Sequence, residues 1–546
     1  MPSGWNLADA WETIADRLPD APALCHAGRM TTWSEMDRRA DGVAATLLAA
    51  GAAHQDKVAL YLHSCSEYLA AAFAATKCGL VPVNTNYRYT ADELAYLWDN
   101  VDAVAVVFHG GFADRCAQIA AVVPRVRLWL WVDDGSGPCP PWATVYEAAA
   151  ATGAELGRTG GPRAEPGARS GDDLVLVYTG GTTGMPKGVM WRQDDLVQSL
   201  DTARAELPAE PGLAALAART VAPGPRNLAA APLMHGTGFF NAITNLLLGG
   251  SVATLAGRTF DAVELLDTIE QVAIKSMSMV GDAFGKPILR ALDAEPGRWD
   301  VSSMRVVLTS GVMCSSETKA GLLRHMPRLI IADALGSSEA LSMATSTTTA
   351  SSSGGADDRT ARFRIGPKTA AITEDGRMVV PGSGELGRLA LRGNLPVGYY
   401  KDEAKTAATF VTVDGVRWSI PGDWVAVEAD GTLTLLGRGS QCINTGGEKV
   451  YPEEVEEALK LHPSVADAAV VGVPDERFGQ AVTAVVEAAP GATVDERELV
   501  AHVRATLAAY KSPKRVLAID TLGRAANGKL DYQRLAQLAC DELGIT

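Results

Sequence analysis

Between Tyr178 and Gly188 the chain reads Tyr-Thr-Gly-Gly-Thr-Thr-Gly-Met-Pro-Lys-Gly, which gathers four glycines and three threonines around one lysine. Glycines let successive backbone N–H groups turn inward around an anion, the hydroxyls of Thr179, Thr182 and Thr183 add donors, and Lys187 adds a point charge. This is the chemistry of a phosphate cradle, built from Thr179, Gly180, Gly181, Thr182, Thr183, Gly184 and Lys187. It is not a Walker loop, because Gly188 follows the lysine where Ser or Thr is required. The plain alternative is a glycine-rich surface turn. A second glycine pattern, Gly382-Ser-Gly-Glu-Leu-Gly387, formally satisfies G-x-G-x-x-G. It leads into an apolar strand instead of opening a helix, so a dinucleotide site is rejected there. The eight histidines show no H-E-x-x-H and the chain no G-x-S-x-G, so metal hydrolase and serine hydrolase chemistry lack support.

The elements that must position these residues follow an α/β rhythm over the first 150 residues. Helical periodicity covers Ala8 to Leu18, Trp33 to Ala50 and Ser66 to Cys78, and short apolar strands fall at Val58 to Leu62 and Ala103 to Phe108. Residues 152–171, rich in Gly and Pro, read as an exposed connection. The strand Leu174 to Tyr178 feeds the phosphate loop, further strands are expected at Arg305 to Thr309 and Arg328 to Ala332, and Thr345 to Asp358 reads as a polar, mobile loop. From Gly384 the pattern turns β-rich. Strands are expected at Gly387 to Arg392, Trp424 to Val427 and Thr432 to Leu436, the last two joined by Ala429-Asp430-Gly431, a hairpin signal. A βαββαβ-like tail follows, with helices near Pro452 to Lys460 and Asp495 to Leu507 and strands near Ala468 to Val473, Ala481 to Val486 and Arg515 to Ile519.

With 546 residues, 47% hydrophobic and 21% charged, the chain has ample material for a large core. Its 49 Lys+Arg against 64 Asp+Glu leave a net charge of −15, which argues against a nucleic-acid partner but not against a phosphate-bearing small molecule held by local N–H groups. The eight cysteines form no C-x-x-C pair and read as reduced, structural thiols. No secretory signal is legible at the amino terminus, and the apolar run from Tyr68 to Val83 is too short to span a membrane. The expectation is a soluble cytoplasmic protein with no membrane span.

Seven strings then occur in one order. They are Thr179-Gly-Gly-Thr-Thr-Gly-Met-Pro-Lys-Gly188, Leu335-Gly-Ser-Ser-Glu339, Pro421-Gly-Asp-Trp424, Gly437-Arg438, Gly446-Gly-Glu-Lys-Val-Tyr-Pro452, Tyr510-Lys-Ser-Pro513 and Gly528-Lys529. In order and spacing the set resembles the adenylate-forming superfamily, over essentially the whole chain. The resemblance implies an α/β fold with a large, multi-subdomain amino-terminal adenylate-forming domain over 1–439 and a small, mobile α+β carboxy-terminal domain over 440–546. It also implies a two-step reaction, in which a carboxylate attacks the α-phosphate of ATP, pyrophosphate leaves, and a thiol takes the acyl group from acyl-AMP.

Onto this chain the resemblance carries specific roles. The loop Thr179 to Lys187 would hold the β and γ phosphates, with Thr183 and Glu339 as oxygen ligands for Mg²⁺. Ser338 would donate to the α-phosphate or to the acyl carboxylate. Gly311, and the backbone from Asp333 through Gly336 to Ser337, resemble the adenine slot; Asp423 and Arg438 resemble the ribose contacts. Lys529 resembles the lysine bridging carboxylate and α-phosphate, Ser440 stands at the pivot, and Gly446, Gly447 and Lys449 lie where the pantetheine arm of CoA would pass. The plain alternative for Ser338 and Glu339, which the context disfavours, is a helix-capping pair; taken singly, Asp423 and Arg438 read as solvated turn charges and Lys529 as an exposed tail lysine. The chain departs from many relatives at Gly180, where Ser is common, at Leu335, where an aromatic is common, and at Ser440, where Asp or Lys is common.

The acid is read from Ala231-Pro-Leu-Met-His-Gly-Thr-Gly238, in which His235 resembles the histidine at the carboxylate end of the acyl tunnel of acyl-CoA synthetases. Gly236, Gly238, Gly281 and Gly336 would leave that pocket apolar and wide. Wider similarity points to the actinobacterial branch acting on steroid side-chain and long fatty acids. The expected function is therefore that of an ATP-dependent acyl-CoA synthetase with ATP, Mg²⁺, CoA and a hydrophobic carboxylic acid as ligands. An acyl-AMP ligase loading a carrier-protein thiol is the alternative, and a homodimer is one assembly the sequence leaves open.

Overall fold

The computed structural model describes residues 4–545 apart from 154–168, 180–184, 203–211, 312–313, 353–362, 439–440, 442, 446–447, 476–477, 508 and 526–527. The chain divides into two compact units, one of residues 1–342, 347–354 and 393–408 and one of residues 343–346, 355–392 and 409–546.

The first unit contains an eight-stranded sheet with the spatial order Gly398–Tyr399, Lys187–Arg192, Leu174–Thr179, Val81–Asn84, Lys57–Tyr61, Ala103–His109, Leu128–Val132 and Thr144–Val145. From Leu174–Thr179 outward through Val81–Asn84 the neighbours run parallel, while the edge made by Lys187–Arg192 and Gly398–Tyr399 is antiparallel. Ala103–His109 is buried at every position, as befits a parallel strand covered on both faces. Its core includes Tyr61, Trp98, Phe108, Trp129 and Trp131. The same unit holds a second run of parallel strands, Pro22–His26, Ser251–Thr254, Arg226–Ala229, Ser276–Met279, Val306–Thr309 and Ile330–Ser337. Helices Ala262–Val272, Gly281–Ala294 and Ser316–His325 connect these strands, and their apolar faces meet in a core of Leu265, Leu266, Ile269, Ile288 and Leu322.

The second unit contains an antiparallel array. In it Asp423–Val427 pairs with Thr432–Arg438 and with Leu386–Arg392, which in turn pairs with Val416–Ser419 and Thr369–Ile372. The Asp-Gly hairpin forms as expected, with Gly431 at φ +78° and Asp430 accepting from the Thr432 N–H at 2.9 Å. The glycine pattern at 382–387 is a turn, Gly382 and Gly384 at φ +78° and +76°, entering the strand Leu386–Arg392. A separate five-stranded sheet combines Glu448–Val450, Ile443–Thr445, Gly479–Ala488 and Val465–Asp475, with Arg515–Ile519 parallel to Gly479–Ala488.

Three expectations change. The tail begins with a two-stranded hairpin instead of a single strand, and it ends with a helix, Tyr532–Leu543, whose Leu535 and Ala539 pack against Val471 and Val485. Thr345 to Thr348 are not loop; they complete the strand Ala340–Thr348, because β-branched threonines alternate well on a pleated surface. The strand expected at Arg328 to Ala332 runs from Ile330 to Ser337, so it leads directly into the Ser338-Glu339 turn. The seven described cysteines are all free thiols. Among the described residues no helix is long and apolar enough to cross a membrane.

Candidate active site

The parallel strands place the expected residues by a topological rule: in open α/β sheets the loops outside the carboxyl ends of the strands form the binding crevice. Gly281 opens the helix after Ser276–Met279, Gly311 follows Val306–Thr309, and Ser337 ends Ile330–Ser337. Gly281 and Gly311 both adopt positive φ, +43° and +89°. The Gly281 N–H donates to the buried Thr309 hydroxyl at 2.9 Å, which fixes these two loop starts to each other.

Ser338 and Glu339 form the turn between Ile330–Ser337 and Ala340–Thr348. The helix-capping reading is thereby overturned, since no helix starts here. Glu339 is half-buried and Tyr399 donates its hydroxyl to Oε1 at 2.7 Å. A half-buried carboxylate held by a phenol is a hard oxygen donor in a fixed direction, which fits the ligand sphere of Mg²⁺. The Ser338 carbonyl accepts from the indole N–H of the fully buried Trp191 at 2.9 Å. Asp333 is buried against the ammonium of Lys319 at 2.7 Å, and burial raises its carboxyl above the ordinary value while Lys319 opposes the shift. Its side chain is thus occupied within the fold.

Lys187 starts the strand after the glycine-rich segment and stands directly across the ladder from Thr179. Gly180, Gly181, Thr182, Thr183 and Gly184 lie outside the described residues. The Lys187 ammonium pairs with Asp402 at 3.0 Å. Asp402 also accepts from the Lys405 N–H at 2.9 Å, and these two contacts hold its carboxyl below the usual range. The Tyr400 N–H donates to the Gly188 carbonyl at 2.8 Å, so the segment from Gly398 to Asp402 lies along the start of the strand Lys187–Arg192 while Tyr399 reaches Glu339.

His235 is the half-buried residue preceding the helix Gly236–Leu247. An added Cβ at Gly236 would lie 3.0 Å from the Phe240 ring and 3.4 Å from the Ser338 hydroxyl, so this helix start adjoins the Ser338–Glu339 turn. Gly238 packs against the carbonyls of Ala231 and Pro232, and Gly336 has Ala340 O and Ser342 N at 3.0 Å from its Cβ position. These two glycines serve close backbone approach. The small residues expected to widen a pocket thus divide, Gly236 facing side chains and Gly238 and Gly336 facing backbone.

Sequence reasoning missed four residues. Asn84, 6% exposed, donates to the carbonyls of Tyr178 at 2.9 Å and Met234 at 2.6 Å and accepts from the Tyr178 N–H, joining the phosphate-loop strand to the loop before His235. Trp191, Tyr399 and Asp402 complete the set. A lone Asn inside the apolar run Leu80-Val-Pro-Val-Asn84 was the available signal, because a buried carboxamide requires partners.

The remaining expected residues belong to the second unit. Asp423 is 7% exposed, which removes the solvated-turn reading, and its cross-strand partner is Arg438. Lys529 is exposed and follows Gly528, whose φ is +73°. Ser440, Gly446 and Gly447 lie outside the described residues, and of Lys449 only the backbone, in the strand Glu448–Val450, is described.

The sequence pattern of the AMP-binding enzyme family matches residues 11–400, and that of the AMP-binding enzyme C-terminal domain matches residues 454–529. A medium/long-chain-fatty-acid–CoA/3-oxocholest-4-en-26-oate–CoA ligase of Mycobacterium tuberculosis is 41% identical over 97% of this chain and 95% of its own. A 3-oxocholest-4-en-26-oate–CoA ligase of Rhodococcus rhodochrous is 38% identical over 97% and 95%. Among solved structures, ATP-bound MatB from Rhodopseudomonas palustris is 26% identical with a TM-score of 0.79, covering 98% of this chain and 99% of its own. The anthranilate CoA ligase AuaEII shares the fold at a TM-score of 0.83 and 22% identity, covering 100% and 99%.

Proposed function

The chain belongs to the AMP-binding enzyme family and is an ATP-dependent, AMP-forming acyl-CoA synthetase, and on that premise we propose that its acid is a fatty acid or a steroid side-chain acid. The observation that supports the site assignment is the network that joins Lys187, Glu339 and the helix start at Gly236, through Asp402, Tyr399, Trp191 and Asn84.

In this reading the phosphate loop and Lys187 bind the β and γ phosphates, which orients pyrophosphate as leaving group and disperses its charge. Glu339, with Thr183, would hold Mg²⁺, which when bound supplies Lewis-acid charge neutralisation. Gly311 and the backbone from Asp333 through Gly336 to Ser337 receive adenine, Asp423 and Arg438 receive the ribose, and His235 lines the carboxylate end of the acyl pocket. Lys529 stabilises the charge that accumulates as the carboxylate oxygen bonds to the α-phosphorus and the bond to pyrophosphate breaks. The domain 440–546 then pivots at Ser440, so that Gly446 and Gly447, with Lys449 beside them, let the CoA thiol approach the acyl carbon and displace AMP. In the same reading the enzyme works in the cytoplasm.

The test is CoA-dependent AMP release over a panel of acids running from acetate through dodecanoate and hexadecanoate to a steroid side-chain acid. Turnover concentrated on the hydrophobic acids supports the reading. Flat turnover across the panel, or turnover best with acetate, would reject the hydrophobic substrate class.

A further inference from the structure

The turn that presents Lys529 is clamped from both sides. Within it the Ala525 N–H donates to the Lys529 carbonyl at 2.9 Å and the Gly528 N–H to the Ala525 carbonyl at 2.8 Å. Arg524 precedes the turn. Its guanidinium donates from Nη2 to Asp467 Oδ1 at 2.9 Å, and from Nε to Asp467 Oδ2. From Nη1 it donates to the Gly528 carbonyl at 2.8 Å. Asp467 lies in the strand Val465–Asp475, with Lys460 at 3.6 Å. Although burial opposes it, Arg524 and Lys460 hold the Asp467 carboxyl below its ordinary value, so the anchor stays ionised. Past the turn, Tyr532 donates its hydroxyl to the buried carboxylate of Glu456 at 2.9 Å, and Glu456 also accepts from the Val470 N–H at 2.9 Å. Leu522 and Leu530 are buried on either side.

The bond from Arg524 to Gly528 acts on the peptide immediately before Lys529. A rigid, forked, always-charged donor fixes that carbonyl's direction while its other two N–H groups stay on one carboxylate of the sheet. Lysine at the same place could keep the charge near Asp467, but a single ammonium cannot hold the fork and the carbonyl in the same geometry.

We propose that Arg524 is a positioning residue for the adenylation half-reaction, setting the direction of Lys529 through the Gly528 carbonyl; this rests on the role of Lys529 given under Proposed function. The experiment uses the full chain with dodecanoate and the variants Arg524→Lys, Arg524→Met, Lys529→Ala and the double variant Arg524→Lys/Lys529→Ala. Two half-reactions are measured: pyrophosphate–ATP isotope exchange without CoA, and CoA thioester formation from synthetic dodecanoyl-AMP. Exchange is expected to fall on the order of 100-fold in Lys529→Ala and about 10-fold or more in both Arg524 variants. The loss should lie in kcat, with the ATP KM and the thioester reaction within about 3-fold of the unaltered chain. The double variant should be no slower than Lys529→Ala alone, because both changes remove one effect. Undiminished exchange in Arg524→Lys, or equal losses in both half-reactions, overturns the positioning role and leaves the Lys529 reading standing. Undiminished exchange in Lys529→Ala overturns that reading and this proposal with it.

Discussion

Tyr399 holds Glu339: its hydroxyl donates to Oε1 at 2.7 Å across 60 residues of sequence. The strand Gly398–Tyr399 pairs with Lys187–Arg192, so the residue that orients the carboxylate rides on the edge of the sheet that carries the phosphate loop. Tyr399→Phe keeps the ring and removes the hydroxyl that makes this bond. Stability is expected to drop by about 1 kcal/mol. Adenylation kcat should fall about 10-fold, with the Mg²⁺ concentration for half-maximal rate shifted upward, because Glu339 loses its fixed direction. Isotope exchange over a Mg²⁺ titration measures both, and an unshifted Mg²⁺ curve would detach Glu339 from the metal.

Asp402 has two tasks that substitution can separate. It pairs with Lys187 and it caps the helix Glu403–Thr409 through the Lys405 N–H. Asparagine caps a helix as well as aspartate does but carries no charge, so Asp402→Asn should unfold in urea at the midpoint of the unaltered chain, whereas Asp402→Ala should lose about 1 kcal/mol. Lys187→Ala should raise the ATP KM by about 10-fold, because a charge-assisted phosphate contact is lost. An unchanged KM in that variant would remove Lys187 from the phosphate site.

Much of this site was legible before the fold was known. The string Thr179 to Lys187 reads as a phosphate cradle because its glycines permit close backbone approach to an anion, and the motif order suggests roles for Glu339, Asp423 and Lys529 by resemblance. The ties that orient them were not legible. No local pattern marks Tyr399 or Asp402, and each acquires its role only when the edge strand Gly398–Tyr399 adds to Lys187–Arg192. The mistaken loop at Thr345 to Thr348 has the same origin, since polar, β-branched residues look like loop until a partner strand satisfies their backbone. Arg524 and Asp467 are separated by 57 residues, and no local pattern links them.

A buried charge cluster away from the site gives a stability prediction with a defined pH sign. Lys77 is 3% exposed and meets Asp37 at 2.7 Å, Glu12 at 3.4 Å and Asp41. Lys77→Met strands Asp37 and Asp41, whereas Glu12 keeps the Arg169 guanidinium at 2.9 Å, and a loss of about 3–5 kcal/mol is expected. Burial already raises Asp41 above the ordinary carboxylate value, an effect that Lys77 opposes. Without the lysine the folded pKa rises further above the unfolded one. The folded state then binds protons more readily, and the variant should regain stability as the pH falls from 8 towards about 5. Urea midpoints at several pH values decide this, and a midpoint independent of pH would show that the carboxylates are not stranded.

The helix start beside Ser338 separates two kinds of pocket change. A methyl at Gly236 would meet the Phe240 ring at 3.0 Å and the Ser338 hydroxyl at 3.4 Å. Phe240 is 5% exposed and its ring lies 6.5 Å, edge to face, from Trp191, which is itself fixed to the Ser338 carbonyl. The ring therefore has little room to retreat, and Gly236→Ala should displace the Ser338 side. Every acid shares its carboxylate end, so kcat/KM should fall by a similar factor, about 10-fold, for dodecanoate and for a steroid side-chain acid. Phe240→Ala acts in the opposite way. It should cost about 3–5 kcal/mol of stability. By opening volume beside the acyl group it should also raise the ratio of kcat/KM for the steroid acid over that for dodecanoate by about 10-fold. Competition between the two acids in one reaction measures that ratio directly. If Phe240→Ala leaves it unchanged, the acyl chain does not run along this helix.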